Sequence, residues 1–274
     1  MQSRRAPLVL VFSGWLLVGA MMAVGCGDDA DAPAAAETRK EDAARHARRE
    51  KEAEVRFRRA LAEAGAGRLE ELGELAHVYW DTESGSAAWK ELILALMRRT
   101  PARYAEALRE LETFRGHAPA SAEAAFAAQA LTQAIYGRLR TEGEAAPGAE
   151  ERAELEKLEG RAARQWVETV EAMAEDPRWR NDYTFCRARG EAYFYSGDLE
   201  ATEKAWAAVE SLEPAAQAGP RVDTLIARAT LLEERLQQPE RARELLVRAR
   251  DLLQYLDPTA REVYAGYLSE HLGD

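Results

Sequence analysis

Four histidines, two cysteines and a large store of carboxylates are the side chains with chemical potential in this 274-residue chain. A metal site needs ligands at short, regular spacings, and His46, His77, His117 and His271 are scattered without any. No glycine loop precedes a Lys-Ser or Lys-Thr to cradle a phosphate, and no Gly-x-Ser-x-Gly elbow offers a nucleophile. The carboxylates fall on the faces of expected helices, where solvation is their ordinary role. Cys186 stands where a helical core takes a small apolar residue, which reads as an inert thiol. The expectation is no catalytic residue, no metal, no cofactor and no enzyme. Cys26 is the exception in kind, because its surroundings point to modification.

Arg4 and Arg5 precede an apolar run over residues 6–24, broken only by Pro7, Ser13 and glycines. A basic start, a hydrophobic middle and small residues at the end are the layout of an export signal. Its end, Ala23-Val24-Gly25-Cys26, resembles the lipobox of bacterial lipoproteins, with Ala23 where leucine is usual. That resemblance implies cleavage before Cys26, a signal peptide over 1–25, acylation of Cys26 (palmitate or a similar chain), and attachment to a membrane through acyl chains. Several acyl chains anchor stably where one is marginal. The run is also near the minimum length for a membrane span, which leaves an uncleaved anchor open. Gly27, not Asp, follows Cys26, and in the lipoprotein family this leans towards the outer membrane, facing the periplasm. Residues 26–37, small, acidic and proline-containing, are expected to be a flexible tether.

The remainder is built for helices. Ala, Leu, Arg and Glu dominate, and all lose little freedom in a helix, while period-2 runs of β-branched residues are missing. The class is all-α. A net charge of −11 argues against nucleic acid, which needs a basic surface. Residues 38–64 are dense in mixed charge and read as a helix whose first half, before Val55, stands in solvent. Apolar residues then mark helices around Leu69–Tyr79, Trp89–Met97, Tyr104–Phe114 and Phe126–Ile135, with Thr100-Pro101 as a helix start and Ser121 as a cap. Residues 141–148 form the clearest loop and a possible boundary between an N-terminal region, 38–148, and a C-terminal one, 149–274. A long striped helix runs from 149 to 173, ending at Asp176-Pro177. Further helices are expected over 225–236 and 240–256. The last starts at Asp257-Pro258 and turns Val263, Tyr264, Tyr267 and Leu268 inward as a terminal cap.

Within this series residues 188–214 carry Gly190, Tyr193, a Gly197-Asp198 turn, Trp206 and a closing Pro214. They resemble one helix–turn–helix unit of the tetratricopeptide family, with Arg189 and Thr202 as departures from its usual Leu and Ala. Ala242, Leu246 and Ala249 repeat the register of Thr202, Trp206 and Val209 at an offset of 40, with residues 217–222 as an enlarged loop. Residues 88–119 match more weakly, through Ala107, Leu111, Phe114 and Pro119. The resemblance implies a right-handed α-solenoid of helical hairpins that binds a protein or peptide on a concave surface. Its first helices would offer Arg187, Glu191 and Phe194, then Thr224, Leu231 and Glu234, and in the early unit Trp89, Leu92 and Arg99. Residues 104–131 are also similar in texture to helical lipoproteins that assemble outer-membrane β-barrels. The sequence thus points to a lipid-anchored envelope scaffold. An envelope enzyme or glycan binder with a loop-built site, and a purely structural spacer, are the alternatives.

Overall fold

A computed structural model describes residues 33–63, 66–209 and 218–273. The expected signal peptide, Cys26 and the first part of the tether lie outside the described residues, as does Pro214. Every regular element among the described residues is helical. The α-helices are α1 (Pro33–Ala62), α2 (Ala66–Val78), α3 (Glu83–Met97), α4 (Tyr104–His117), α5 (Ala122–Leu139), α6 (Ala149–Ala174), α7 (Pro177–Arg180), α8 (Tyr183–Ser196), α9 (Leu199–Val209), α10 (Ala218–Glu234), α11 (Pro239–Leu252) and α12 (Pro258–Leu272). Consecutive helices pack in neighbouring pairs, α2 on α3, α5 on α6, α8 on α9 and α10 on α11. This arrangement is compatible with an α-solenoid. Residues Ala44–Asp274 form one compact unit; of the segment up to Ala43, only the helical start of α1 is described.

Local chemistry explains the boundaries. Ser121 accepts a hydrogen bond from the Ala124 amide at 3.2 Å and caps α5, as its position suggests. Asp182 caps α8 through the Phe185 amide at 2.7 Å, and Asp257 caps α12 through the Thr259 and Ala260 amides, both at 3.0 Å. Gly197 ends α8 in the left-handed region, φ +84°, which a side chain would resist.

Several boundaries differ from expectation. The helix α1 starts at Pro33, inside the expected tether. The stretch before Val55, expected to stand in solvent, does so only in its earlier part: Arg49 donates to Asp81 at 2.7 Å, Glu50 accepts from the Glu83 amide at 2.8 Å, and Tyr79 donates to Glu52 at 2.6 Å. Polar side chains therefore clamp α1 onto the α2–α3 turn. Thr100-Pro101 does not start α4, which begins at Tyr104; the Thr100–Pro101 bond is cis and lies within the loop. Residues 218–222, expected as loop, are the first turns of α10. Pro220 is tolerated there because a first-turn amide has no intrahelical acceptor to lose. Val263 is 68% exposed, since the inward face of α12 runs through Tyr264, Leu268 and Leu272.

Two hydrophobic cores result. The larger draws on α1 to α6 and α8, with Trp89, Phe114, Trp166 and Phe185 among its buried members. The loop at 141–148 does not divide it, because Leu155, Leu158, Trp166 and Met173 join the same core as Leu72 and Ile135. The smaller core comes from α10, α11 and α12, with Val222, Leu225, Leu232, Leu246 and Leu268.

Candidate functional site

The α8–α9 pair is organised by Gly190. A β-carbon on Gly190 would lie 2.1 Å from the Trp206 ring, so the indole rests on the bare backbone of α8. Trp206 Nε1 donates to the Arg187 carbonyl at 3.1 Å, which fixes the ring. Thr202 does not splay the pair: it is fully buried, and its hydroxyl donates to the Asp198 carbonyl at 2.7 Å. Arg189 replaces an apolar contact by a paired one, since its Nε and Nη2 donate to the two carboxylate oxygens of Glu171 of α6, at 2.6 and 2.9 Å. The register at offset 40 holds in burial, with Thr202, Trp206 and Val209 matched by Ala242, Leu246 and Ala249.

Six of the residues expected to face a groove lie on α8 and α10 without forming an open one. Glu191 is 9% exposed and accepts from Gln129 of α5 at 3.2 Å. Arg187, one helical turn before it, lies 3.5 Å from its carboxylate. Burial outweighs the attraction of that guanidinium and pushes the Glu191 carboxyl up to about 7. Thr224 is buried with its hydroxyl 3.1 Å from the Tyr183 hydroxyl. Asp223, beside it, accepts from Tyr264 of α12 at 2.6 Å. Burial, and then the Asp223 carboxylate, raise the Tyr264 phenol. These residues form a polar seam that links α5, α8, α10 and α12. Phe194 is half-buried, stacked on Trp206 with ring centroids 6.3 Å apart. Leu231 is core, and Glu234 is exposed at the end of α10. The seam therefore packs helices together; it does not present a free face.

The early unit behaves differently. Trp89 is fully buried, stacked on Phe114 at 5.1 Å, and is a packing residue. Leu92 and Arg99, however, line a groove of about 850 Å³ between α2 and α4. Its floor is Leu92 and Leu96 of α3, with Leu69 of α2 and Pro101 at the sides. Glu70 and Glu74 stand on the α2 wall, Glu106 and Glu110 on the α4 wall, and Arg103 at the loop end. Gly73 opens the α2 wall: a β-carbon there would meet nothing within 4 Å. At one end His77 bridges to Glu110 at 3.1 Å, and Trp89 Nε1 donates to the same carboxylate at 3.3 Å. The remaining groove residues escaped sequence reasoning because they come from three helices and a loop. Only Leu69 and Gly73, one helical turn apart, carried a local signal.

Cys186 is half-buried, and its thiol donates to the Arg180 carbonyl at 3.3 Å. Burial, with Asp182 nearby, raises the thiol pKa and keeps it from thiolate chemistry. Among the described residues no group of three or more His, Cys, Asp or Glu is placed to hold a metal ion. No described helix is long and apolar enough to cross a membrane. In comparison with known proteins, no family model and no curated protein matches this sequence.

Proposed function

We propose that this chain is a lipid-anchored scaffold of a bacterial envelope that binds another protein in the groove between α2 and α4. The observation that carries the reading is the groove's construction: a concavity over the buried Leu92 and Leu96, with half-buried Leu69 and exposed Pro101 at its sides and one wall kept low by Gly73. Apolar surface left in a concavity gains free energy when a partner covers it, at roughly 25 cal/mol per Å². Groove side chains are for the most part aliphatic or ion-paired, a composition suited to holding a chain in place and poor for moving protons. The anchor rests on Ala23-Val24-Gly25-Cys26 and the apolar run before it. The tetratricopeptide likeness of residues 188–214 supports a repeat scaffold, with Gly190 and Trp206 in the closely packed arrangement the family uses.

Cross-linking in intact cells, followed by purification from membranes, tests this with the wild type, Gly73→Leu and Cys26→Ser. Leucine at 73 enters open space and suits a helix better than glycine, so it fills the groove without unfolding α2. A partner cross-linked to the wild type should be lost from Gly73→Leu, and Cys26→Ser should leave the membrane fraction. An unchanged set of cross-linked partners in Gly73→Leu removes the groove from the function. Full membrane retention of Cys26→Ser replaces the lipid anchor by an uncleaved helix.

A further inference from the structure

We infer that the contact between α8 and α10 is a proton-controlled joint: the trio α10 to α12 stays docked while Glu191 is protonated and comes away from α8 once Glu191 ionises. The joint exists because the trio has a core of its own. Val222, Leu225, Leu232, Leu246 and Leu268 bury one another, and none of them belongs to the larger core. Helix α10 packs closely on α11 and only lightly on α9. Polar contacts cross to the rest of the molecule: Tyr183 meets Thr224, and Glu203 of α9 takes both Arg228 and Arg241. Such groups can exchange a protein partner for water at small net cost, which buried apolar surface cannot.

Glu191 is buried at this joint and feels groups from both sides of it. On the side of the larger core, Gln129 of α5 donates to it at 3.2 Å, and Arg187, one turn before it on α8, lies 3.5 Å away. Tyr195, one turn after it, packs against Trp166 of α6 and Tyr136 of α5, with Arg140 and Glu159 beyond. On the side of the trio the charge that acts on it is Asp223 of α10, which accepts from Tyr264 of α12 at 2.6 Å. Arg221 of α10 stands with Arg187 and Asp223 around Tyr183. Protonated, Glu191 is neutral, and Asp223 has two guanidiniums near it. Ionised, Glu191 is a second carboxylate in a dry place. Burial, with Asp223 added, outweighs Arg187 and Gln129 and holds its carboxyl up at about 7. The relief is water. Helices α5 and α8 cannot part to admit it, because Leu131, Ile135, Phe185 and Ala192 share the larger core. Helix α10 can, so ionisation opens the seam on its side and carries Asp223 away from the new charge.

The test measures how fast a buried thiol is labelled in the full chain, held in zwitterionic nanodiscs, between pH 6 and pH 9. Thr224→Cys places the probe in the joint, and Thr132→Cys places a matching one in the larger core, where Thr132 is fully buried. Peptide mapping separates both from Cys186, and each rate is divided by that of the urea-unfolded chain at the same pH, which leaves the opening constant. In the opened state Glu191 is hydrated and returns to its ordinary value near 4.5, against about 7 when docked. The docked state thus holds a proton that the opened state releases, so opening is rarest at low pH and grows until pH passes 7. At position 224 the opening constant should rise about tenfold from pH 6 to pH 8 and level off beyond, while at position 132 it stays constant. Adding Glu191→Gln, neutral at every pH, should keep the joint at its low-pH value throughout. A flat profile at position 224 overturns the proposal. So does a rise that persists with Glu191→Gln, which would assign it to another group. An equal rise at position 132 means that the whole unit unfolds, and overturns the joint as well. If Thr224→Cys does not fold, hydroxyl-radical oxidation of Tyr183 in the unsubstituted chain gives the same readout from the other face of the seam.

Discussion

The two hydrophobic cores of the compact unit are built by different means. The larger one buries the aromatic rings of Trp89, Phe114, Trp166 and Phe185, and Trp89 lies parallel to Phe114. The smaller one, in α10 to α12, is formed by aliphatic side chains such as Leu225, Ile226, Leu232 and Leu246. Polar contacts join them. Tyr183 meets Thr224 across α8 and α10, and Arg228 of α10 pairs with Glu203 of α9 at 2.6 Å, where Arg241 adds a second cation at 3.1 Å. Apolar contact is non-directional and lets helices slide, whereas hydrogen bonds fix distance and angle. The aromatic core thus supplies most of the adhesion, and the seam sets the register in which the smaller core docks on it.

The largest effect should come from removing the centre of the aromatic core. Trp89→Ala takes away a fully buried indole and is expected to cost about 3–5 kcal/mol. In the wild type, native-state hydrogen exchange should show the amides of α10 to α12 opening at lower free energy than those of α3 to α6. Trp89→Ala should lower the opening free energy of α3 to α6 and close that gap. If both regions fall by the same amount, they unfold as one body and the contrast between the cores has no energetic content.

That contrast was partly legible in the sequence. Ser121, Asp257-Pro258 and Gly197-Asp198 act through neighbours two or three residues away, so their caps and turns could be read directly. Gly190 and Trp206 were legible for the same reason, as partners across one short turn. Val263 misled because hydrophobicity alone does not set helical phase; α12 docks one residue further on, through Tyr264, Leu268 and Leu272. Trp89 and Leu231 were expected on a surface and are core, since the choice depends on which helix lands over them. Arg187, Glu191 and Thr224 do come together, but α5 and α12 close over them, and no local pattern encodes that. The groove is the same problem in reverse. Leu69, Leu92 and Glu106 are ordinary amphipathic positions until α2 and α4 stand apart over α3.

Glu191 offers a sharper probe of the seam, with a smaller effect. Its carboxyl has an ordinary value near 4.5 in the unfolded chain and about 7 in the fold, so the native state holds a proton that the unfolded state has released. Stability from this group is therefore fully present below about pH 4.5 and declines as pH rises to 7, levelling beyond it. Glu191→Gln removes the titration while keeping an amide to meet Gln129. From pH 4.5 to 8 the variant should gain on the wild type by on the order of 1–3 kcal/mol in urea denaturation. A difference that stays flat with pH would mean that Arg187 keeps the carboxylate ionised throughout, and the seam would be an ordinary ion pair.

The smallest effect tests whether the seam positions the smaller core or merely decorates it. Tyr264 donates to Asp223 at 2.6 Å, tying α12 to α10 beside the Tyr183–Thr224 contact. Tyr264→Phe keeps the ring and its apolar contacts but deletes the hydroxyl, leaving a half-buried carboxylate to be rehydrated. The net loss should be about 1 kcal/mol, below the usual range for a hydrogen bond to a charged group because water can reach the site. Leu268 and Leu272 still hold α12 by burial, so it should remain helical. If the hydrogen bond sets register, exchange should quicken throughout α12 and at Asp223 while α3 to α6 stay unchanged. A loss of stability without that local quickening would show that the leucines alone place α12, and that the polar seam ends at Thr224.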